Sequence, residues 1–269
     1  MRPHEPAIAV VDIPAYLERI AYSGSTEPTA ATLRALHRSH LFAVPFENLD
    51  IALGRTIVLD EARILDKVVG QQRGGFCYEL NCAFAALLRA LGFQTTLLSA
   101  RAARANGGEG PEFDHLALRV DLEQPWLADA GFGESFLEPL ALEPDIEQSD
   151  PTGTFRLSGS ADRFEVEKAG SEGMWKPQYS FSLRPRRLED FSGMCHYHQT
   201  SPQSHFTQNR VCSRATPDGR ITLSGMKLIT TWNGQREERV LMSEDEWVSV
   251  LKEHFGMELQ GVRRGGPGG

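Results

Sequence analysis

The chain has 269 residues, 41% hydrophobic and 24% charged, which supplies a sizeable core and excludes the composition of a disordered protein. A formal net charge of −8 and a sequence pI near 5.5 exclude a basic nucleic-acid footprint. Four cysteines, Cys77, Cys82, Cys195 and Cys212, are too sparse for a disulfide scaffold and form no paired C-x-x-C knuckles, so neither disulfides nor a metal site is expected.

The first ninety residues read as helices. Asp12 is placed to cap a helix with Pro14 near its start and Ile13, Tyr16, Leu17 and Ile20 on one face. Thr29 is placed to cap a second helix carrying Leu33, Leu36, His37, His40 and Leu41, which Pro45 ends. His37 and His40 have a spacing that metals use, but no carboxylate or cysteine shares their face, so they are read as structural. A third helix follows Asp60, with Ile64, Leu65, Val68 and Val69 as its buried stripe. The fourth begins at Cys77 and buries Leu80, Phe84, Leu87, Leu88 and Leu91, with Gly92 as its stop.

From Thr95 the period changes from 3.6 to 2. Thr95 to Ala102 reads as a strand, and residues 104–111 as a glycine-rich loop. In His115 to Leu122, Leu116, Leu118, Val120 and Leu122 share one face. Trp126 to Phe132 reads as another strand, residues 155–167 as a hairpin around Gly159, and Tyr179 to Leu183 as its continuation. Together they predict a small antiparallel barrel or sandwich. Further on, Leu188 to His198 reads as a helix. Val211 to Ala215 and Ile221 to Ile229 read as strands joined at Pro217-Asp218-Gly219, and Asn233-Gly234 marks a hairpin turn. Ser243 and Glu246 predict a capping box before a last helix that Gly256 stops. Residues from Gly261 onward are expected to be a disordered tail. Residues 1–12 show no signal-peptide pattern and no apolar run reaches membrane-spanning length, so a cytoplasmic protein with reduced thiols is expected.

The chain is organised around Arg73-Gly74-Gly75-Phe76-Cys77-Tyr78-Glu79-Leu80-Asn81. Two glycines permit a tight, close-approach turn, and the cysteine lies in the first turn of a buried helix, where the dipole favours a thiolate. The competing reading is an inert buried thiol. A nucleophilic cysteine needs a base, and the base an orienting acceptor. Asp129 sits in the apolar run Trp126 to Ala130, where a carboxylate needs a partner, and His115 is one strand back. An aspartate that merely caps a turn before Gly131 fits the spacing equally well.

Five segments in order resemble the arylamine N-acetyltransferases. They are Pro45-Phe46-Glu47-Asn48-Leu49, the stretch 73–81, His115-Leu116, Asp129-Ala130-Gly131-Phe132-Gly133, and Ser201-Pro202-Gln203-Ser204-His205-Phe206-Thr207. The resemblance runs from about Tyr16 to His254, and the short C-terminal end is most similar to bacterial members. It implies an α+β fold with a cysteine-protease-like core: a helical bundle (1–92), a central antiparallel β-barrel (93–187) and a C-terminal α/β lid (188–260). It also implies a Cys77-His115-Asp129 triad that carries acetyl from acetyl-CoA to an arylamine, arylhydrazine or arylhydroxylamine through an acetyl-cysteine. Phe46, Phe132 and Phe206 are the implied acceptor lining, and Arg73 with Glu47 an ion pair bracing the loop at Gly74 and Gly75. Gly131 and Gly133, having no bulk, are expected to admit the donor. The partners implied are small-molecule amines and coenzyme A, with no nucleic acid or membrane. Glu112 and Asp114 are poor neighbours for a polyphosphate, and Ala130 stands where the family often has valine. An amide synthase acting on a polyketide thioester and a cysteine hydrolase are alternatives on the same triad. A non-catalytic binding descendant is a further one, against which the intact Cys, His and Asp argue.

Overall fold

The computed structural model describes residues 10–104, 107–170 and 173–259; the expected tail from Gly261 lies outside them. Five helices come first: α1 (Ile13–Arg19), α2 (Ala30–Ala43), α3 (Leu49–Ala52), α4 (Glu61–Leu65) and α5 (Cys77–Ala90). Asp12, Thr29 and Asp60 cap α1, α2 and α4, each accepting a backbone N–H three residues on. α5 is buried from Cys77 to Leu88 and packs with Tyr16, Ile20, Leu33 and Leu36 in one apolar cluster. Burial of apolar surface on every side holds this helix, rather than propensity.

After α4 the chain widens into a π-helical turn, Asp66–Gly70. This alters the predicted stripe. Ile64 and Val68 are buried, but Leu65 and Val69 are only half-buried, and Lys67 is turned inward. The extra residue in the turn rotates the face presented to the core, as π-bulges at functional sites do.

An eight-stranded antiparallel sheet follows, built from β2 (Gln94–Ala102), β3 (His115–Asp121), β4 (Pro125–Ala128), β5 (Leu140–Ala141), β6 (Gln148–Asp150), β7 (Gly153–Ser160), β8 (Arg163–Ala169) and β9 (Trp175–Arg186). The sheet order is β5-β4-β3-β2-β9-β8-β7-β6, curled into a barrel. Its two edges meet through one side chain. The Gln148 amide accepts from Ala141 N at 2.7 Å and donates to Ala141 O at 3.0 Å, replacing a backbone ladder and protecting both edges. Strand alternation sorts neighbours into two cores. Leu116, Leu118 and Val120 face the helices, while Ala117 joins Leu98, Leu127 and Phe181 inside the barrel. The β7–β8 hairpin turns at Ala161-Asp162, not at Gly159. Gly159 instead faces Phe164 across the strands, where a Cβ would lie 2.4 Å from Arg163 O. β4 ends at Ala128, so Asp129 follows the strand instead of lying within it.

The remaining elements are α6 (Ser192–Thr200), α7 (His205–Gln208), β10 (Val211–Thr216), β11 (Gly219–Ser224), β12 (Lys227–Trp232), β13 (Gln235–Val240) and α8 (Glu244–Phe255). The predicted helix from Leu188 begins as a 3-10 turn, Leu188–Phe191, before α6. The predicted single strand Ile221 to Ile229 is two strands, turned at Gly225 with φ +55°. Asn233-Gly234 does join β12 to β13, both residues at positive φ. The capping box before α8 is half-formed: Ser243 Oγ accepts from Glu246 N, but the Glu246 carboxylate takes Met242 N. A short strand from the helical region, β1 (Phe46–Glu47), pairs with β10 and opens this second, five-stranded sheet. That pairing stitches the sheet to the loop preceding α5, since Phe46 also bridges to Gly75.

Candidate active site

Cys77 is the first residue of α5, with Phe76 as its N-cap. Phe76 has no side-chain acceptor, so Glu79 reaches back and its Oε2 accepts from Phe76 N at 3.1 Å. The preceding glycines are required for space. A Cβ at Gly74 would stand 1.9 Å from Pro45 O, and one at Gly75 2.7 Å from Glu79 Oε2. Neither has a positive φ, so close approach and not a left-handed turn is what demands glycine here.

An ionic cluster braces the loop from behind. Arg73 donates to Glu47 Oε1 at 3.0 Å through Nε and at 2.6 Å through the guanidinium, and to Asp50 Oδ1 at 2.9 Å. Lys67 Nζ lies 2.7 Å from both Asp50 Oδ2 and Glu79 Oε1. Three buried carboxylates thus meet two buried cations, with the half-exposed Arg55 3.9 Å from Asp50 Oδ1 at the rim. Burial raises the Glu79 carboxyl to about 7, with Lys67 opposing it and the Glu47 charge adding to the rise. Burial acts to raise Asp50 too, but Lys67 and Arg73 outweigh it and hold it below the usual range.

His115 opens β3. Its Nε2 hydrogen-bonds Asp129 Oδ2 at 2.7 Å, with both side chains buried. Asp129 Oδ1 accepts from Asn81 Nδ2 at 2.9 Å and from Gly131 N at 3.0 Å. Burial would raise the Asp129 carboxyl, yet these partners, His115 foremost, hold it below the ordinary value. Asn81 and His37 received no such position from sequence. Asn81 lies one turn beyond Cys77, donates also to Leu116 O at 2.6 Å, and accepts from Ala130 N at 2.8 Å. It ties β3 and the loop after β4 to the helix of Cys77. A polar residue four positions along an apolar helix face was the available signal. His37 accepts from Asp129 N at 3.1 Å through Nε2 and bonds Leu137 O at 2.8 Å through Nδ1. Burial lowers its pKa and keeps it neutral, as it does His40, whose pKa falls to about 3.

The sulfur is not a ready thiolate. Burial pushes the Cys77 thiol up, with the Asp129 charge adding to the effect and the Leu116 backbone N–H opposing it. The helix start alone is therefore insufficient: desolvation outweighs the dipole unless a cation forms beside the sulfur.

Cys77 and His115 open onto a cavity of about 700 Å3 that Phe46, Phe132 and Phe206 also line. Phe132 meets the His115 ring edge-on at 5.1 Å, and Phe46 meets Phe206 at 6.0 Å. Gly131 reaches the cavity by its backbone, and its role is closeness: a Cβ there would fall 2.7 Å from Cys77 Cα and 2.7 Å from Asn81 Nδ2. Gly133, expected to admit the donor, is not among the lining residues; its φ of +94° places it in a turn with open space around it. Among the described residues no group of three or more His, Cys, Asp or Glu is placed to hold a metal ion, and no helix is long and apolar enough to cross a membrane.

The architecture and sequence have close parallels. A family model described as N-acetyltransferase matches residues 29–264. The chain is 35% identical to the arylamine N-acetyltransferase of Escherichia coli (strain K12), over 93% of this chain and 90% of that protein. It is 30% identical to proansamycin X synthase of Amycolatopsis mediterranei (strain S699), over 90% and 96% respectively. The solved arylamine N-acetyltransferase from Salmonella typhimurium superposes with a TM-score of 0.87 at 31% identity, covering 96% of each chain. The Mycobacterium marinum enzyme in complex with CoA does so with a TM-score of 0.84 at 31% identity, covering 91% and 92%. With likeness of this extent in both sequence and fold, the chain belongs to the arylamine N-acetyltransferase family of acetyltransferase enzymes.

Proposed function

We propose that the chain transfers acetyl from acetyl-CoA to an arylamine, arylhydrazine or arylhydroxylamine in two covalent steps, with Cys77, His115 and Asp129 as the reacting constellation. The observation that carries this reading is the 2.7 Å His115–Asp129 contact in the wall of the cavity that Cys77 lines. Asp129 occupies Nε2 of the imidazole, which leaves Nδ1 for the cysteine proton. Proton transfer makes the imidazolium that a buried thiolate needs, and Asp129 stabilises it.

In the first step the Cys77 sulfur attacks the thioester carbonyl, the C–S bond to coenzyme A breaks, and His115 returns the proton to the departing thiolate. First-turn N–H groups of α5 stabilise the oxyanion. In the second step the amine attacks the acetyl-cysteine, its proton passes to His115, and the Cys77 sulfur leaves. Phe46, Phe132 and Phe206 provide an aromatic wall for the aryl ring. The three-part division at 92/93 and 187/188 serves this chemistry by bringing nucleophile and base from separate elements, with β1 crossing between two of the parts.

A second reading, an amide synthase taking a longer acyl thioester, draws support from the similarity to proansamycin X synthase. One experiment separates them. Intact mass after acetyl-CoA, with and without an arylhydrazine, is expected to reveal one acetyl on Cys77 that the hydrazine removes as its amide. No adduct at any acetyl-CoA concentration, with an adduct from a long-chain acyl thioester, sinks the first reading in favour of the second. An adduct cleared as fast by water would make the chain a hydrolase.

A further inference from the structure

The cavity holds a second histidine–carboxylate pair. His198, on α6, is 6% exposed, and its Nε2 lies 3.4 Å from Asp114 Oδ1, at ion-pair range but not aligned for a hydrogen bond. That nitrogen is buried with no hydrogen-bond partner. The opposite nitrogen, Nδ1, lies 3.3 Å from Ser204 Oγ. The ring is held edge-on by Phe206 at 5.1 Å and flanked by Tyr78 at 6.1 Å. Tyr78 in turn donates to Phe113 O at 2.7 Å and Asp114 O at 3.3 Å, fixing the backbone that carries Asp114. Asp114, His198 and Ser204 all line the same cavity as Cys77.

A buried imidazole nitrogen left unpaired is costly, and binding sites are where such groups find their partner in the ligand. Here it stands beside a carboxylate, next to an aromatic wall. The complement is an aryl ring whose polar substituent can donate a hydrogen bond and carries no negative charge. A ring carboxylate would meet Asp114 as a like charge.

We propose that Asp114 and His198 form the polar end of the acceptor subsite and select arylamines with a neutral, hydrogen-bond-donating ring substituent, such as a carboxamide, hydroxyl or amino group, over those bearing a carboxylate. This rests on the acetyl-transfer reading above. Arg104 and His205 also line the cavity, so the selection is read as a change between variants and not from the absolute preference of the wild type.

The test compares 4-aminobenzamide with 4-aminobenzoate, which share a ring and a para carbonyl and differ in charge. kcat/KM is measured for both in the wild type, Asp114→Asn and His198→Gln. In Asp114→Asn the benzoate-to-benzamide ratio is expected to rise about ten-fold, the scale of one removed like charge at a partly screened site. In His198→Gln, which removes the fixed imidazole acceptor that a ring donor would meet, the benzamide is expected to lose about three-fold or more in kcat/KM and the ratio to rise. Two variants at separate positions keep the test valid should one fail to fold. Both acceptors falling together, with the ratio within about two-fold of wild type, would show a purely structural role and overturn the proposal. Intact mass of the wild type keeps the two inferences apart. An acetyl-Cys77 adduct with unmoved ratios refutes the subsite alone, whereas no adduct refutes the acetyl-transfer reading and the subsite with it.

Discussion

Lys67→Met reads the ionic brace behind Cys77 most directly. The side chain is 10% exposed, so water screens it little, and its Nζ faces Asp50, Glu79 and, at 3.7 Å, Glu47. Methionine keeps the aliphatic stem and removes the charge, leaving three buried carboxylates with Arg73 as their buried cation and Arg55 at the rim of Asp50. Breaking a buried ion pair by deleting one partner costs about 3–5 kcal/mol, against a total stability on the order of 5–15 kcal/mol. At about 2–4 °C per kcal/mol for a chain of this size, the melting temperature should fall by roughly 6–20 °C. The loss should depend on pH with a definite sign. The Glu79 carboxyl is raised on folding to about 7, above the usual glutamate value of 4.5. A group raised in this way contributes stability that is fully present below its unfolded pKa and lost as pH rises through the folded one. Without Lys67 it rises further, and its protonation then relieves the excess charge. The variant should therefore be most destabilised above about pH 8 and recover toward about pH 6. Asp50 acts in the opposite direction, since its lowered carboxyl stabilises above its unfolded pKa and loses that contribution in acid. Thermal unfolding followed by circular dichroism over this range measures both. A fall under about 2 °C, or one equal at every pH, would refute this account of the ionic brace.

Three further substitutions probe the site itself. Cys77→Ser should keep the fold and form no stable acetyl adduct, because a buried alcohol is a far weaker nucleophile; retained transfer would reassign the nucleophile. Asp129→Asn preserves shape but allows the amide to donate to His115 and turn the wrong nitrogen toward Cys77, so kcat/KM should drop by about 1,000-fold or more. A loss under about ten-fold would deny Asp129 its orienting role. Gly131→Ala places a methyl 2.7 Å from Cys77 Cα, where the obstacle is backbone and cannot swing aside. Transfer should fall more than thermal stability does, as the loop carrying Asp129 is pushed from α5, and unchanged kinetics would show that the loop shifts without cost.

Much of the local structure was legible because it rests on local causes. Asp12, Thr29 and Asp60 cap their helices through bonds to residues three positions on, which any reading of the chain can find. The apolar alternation of β3 and the Asn233-Gly234 turn are likewise short-range. Errors fell where the cause lay elsewhere in the fold. A glycine inside β7 reads as a turn from sequence, because the Arg163 carbonyl it accommodates belongs to the facing strand. The π turn that buries Lys67 was invisible because its reward is an ion cluster assembled from residues 47, 50, 73 and 79.

What the sequence determined by itself was the stretch around Cys77, the order of the five segments and, through their resemblance, the family and the α+β fold. Only the tertiary structure decided how Cys77 is held and what surrounds it. Asn81, His37 and Lys67 act on groups 12 to 92 residues away in the chain. Asp114 meets His198 where Tyr78 anchors the backbone of one and flanks the ring of the other. The environment of the sulfur also belongs to this level: a helix start favours a thiolate, but burial by the whole fold disfavours it more.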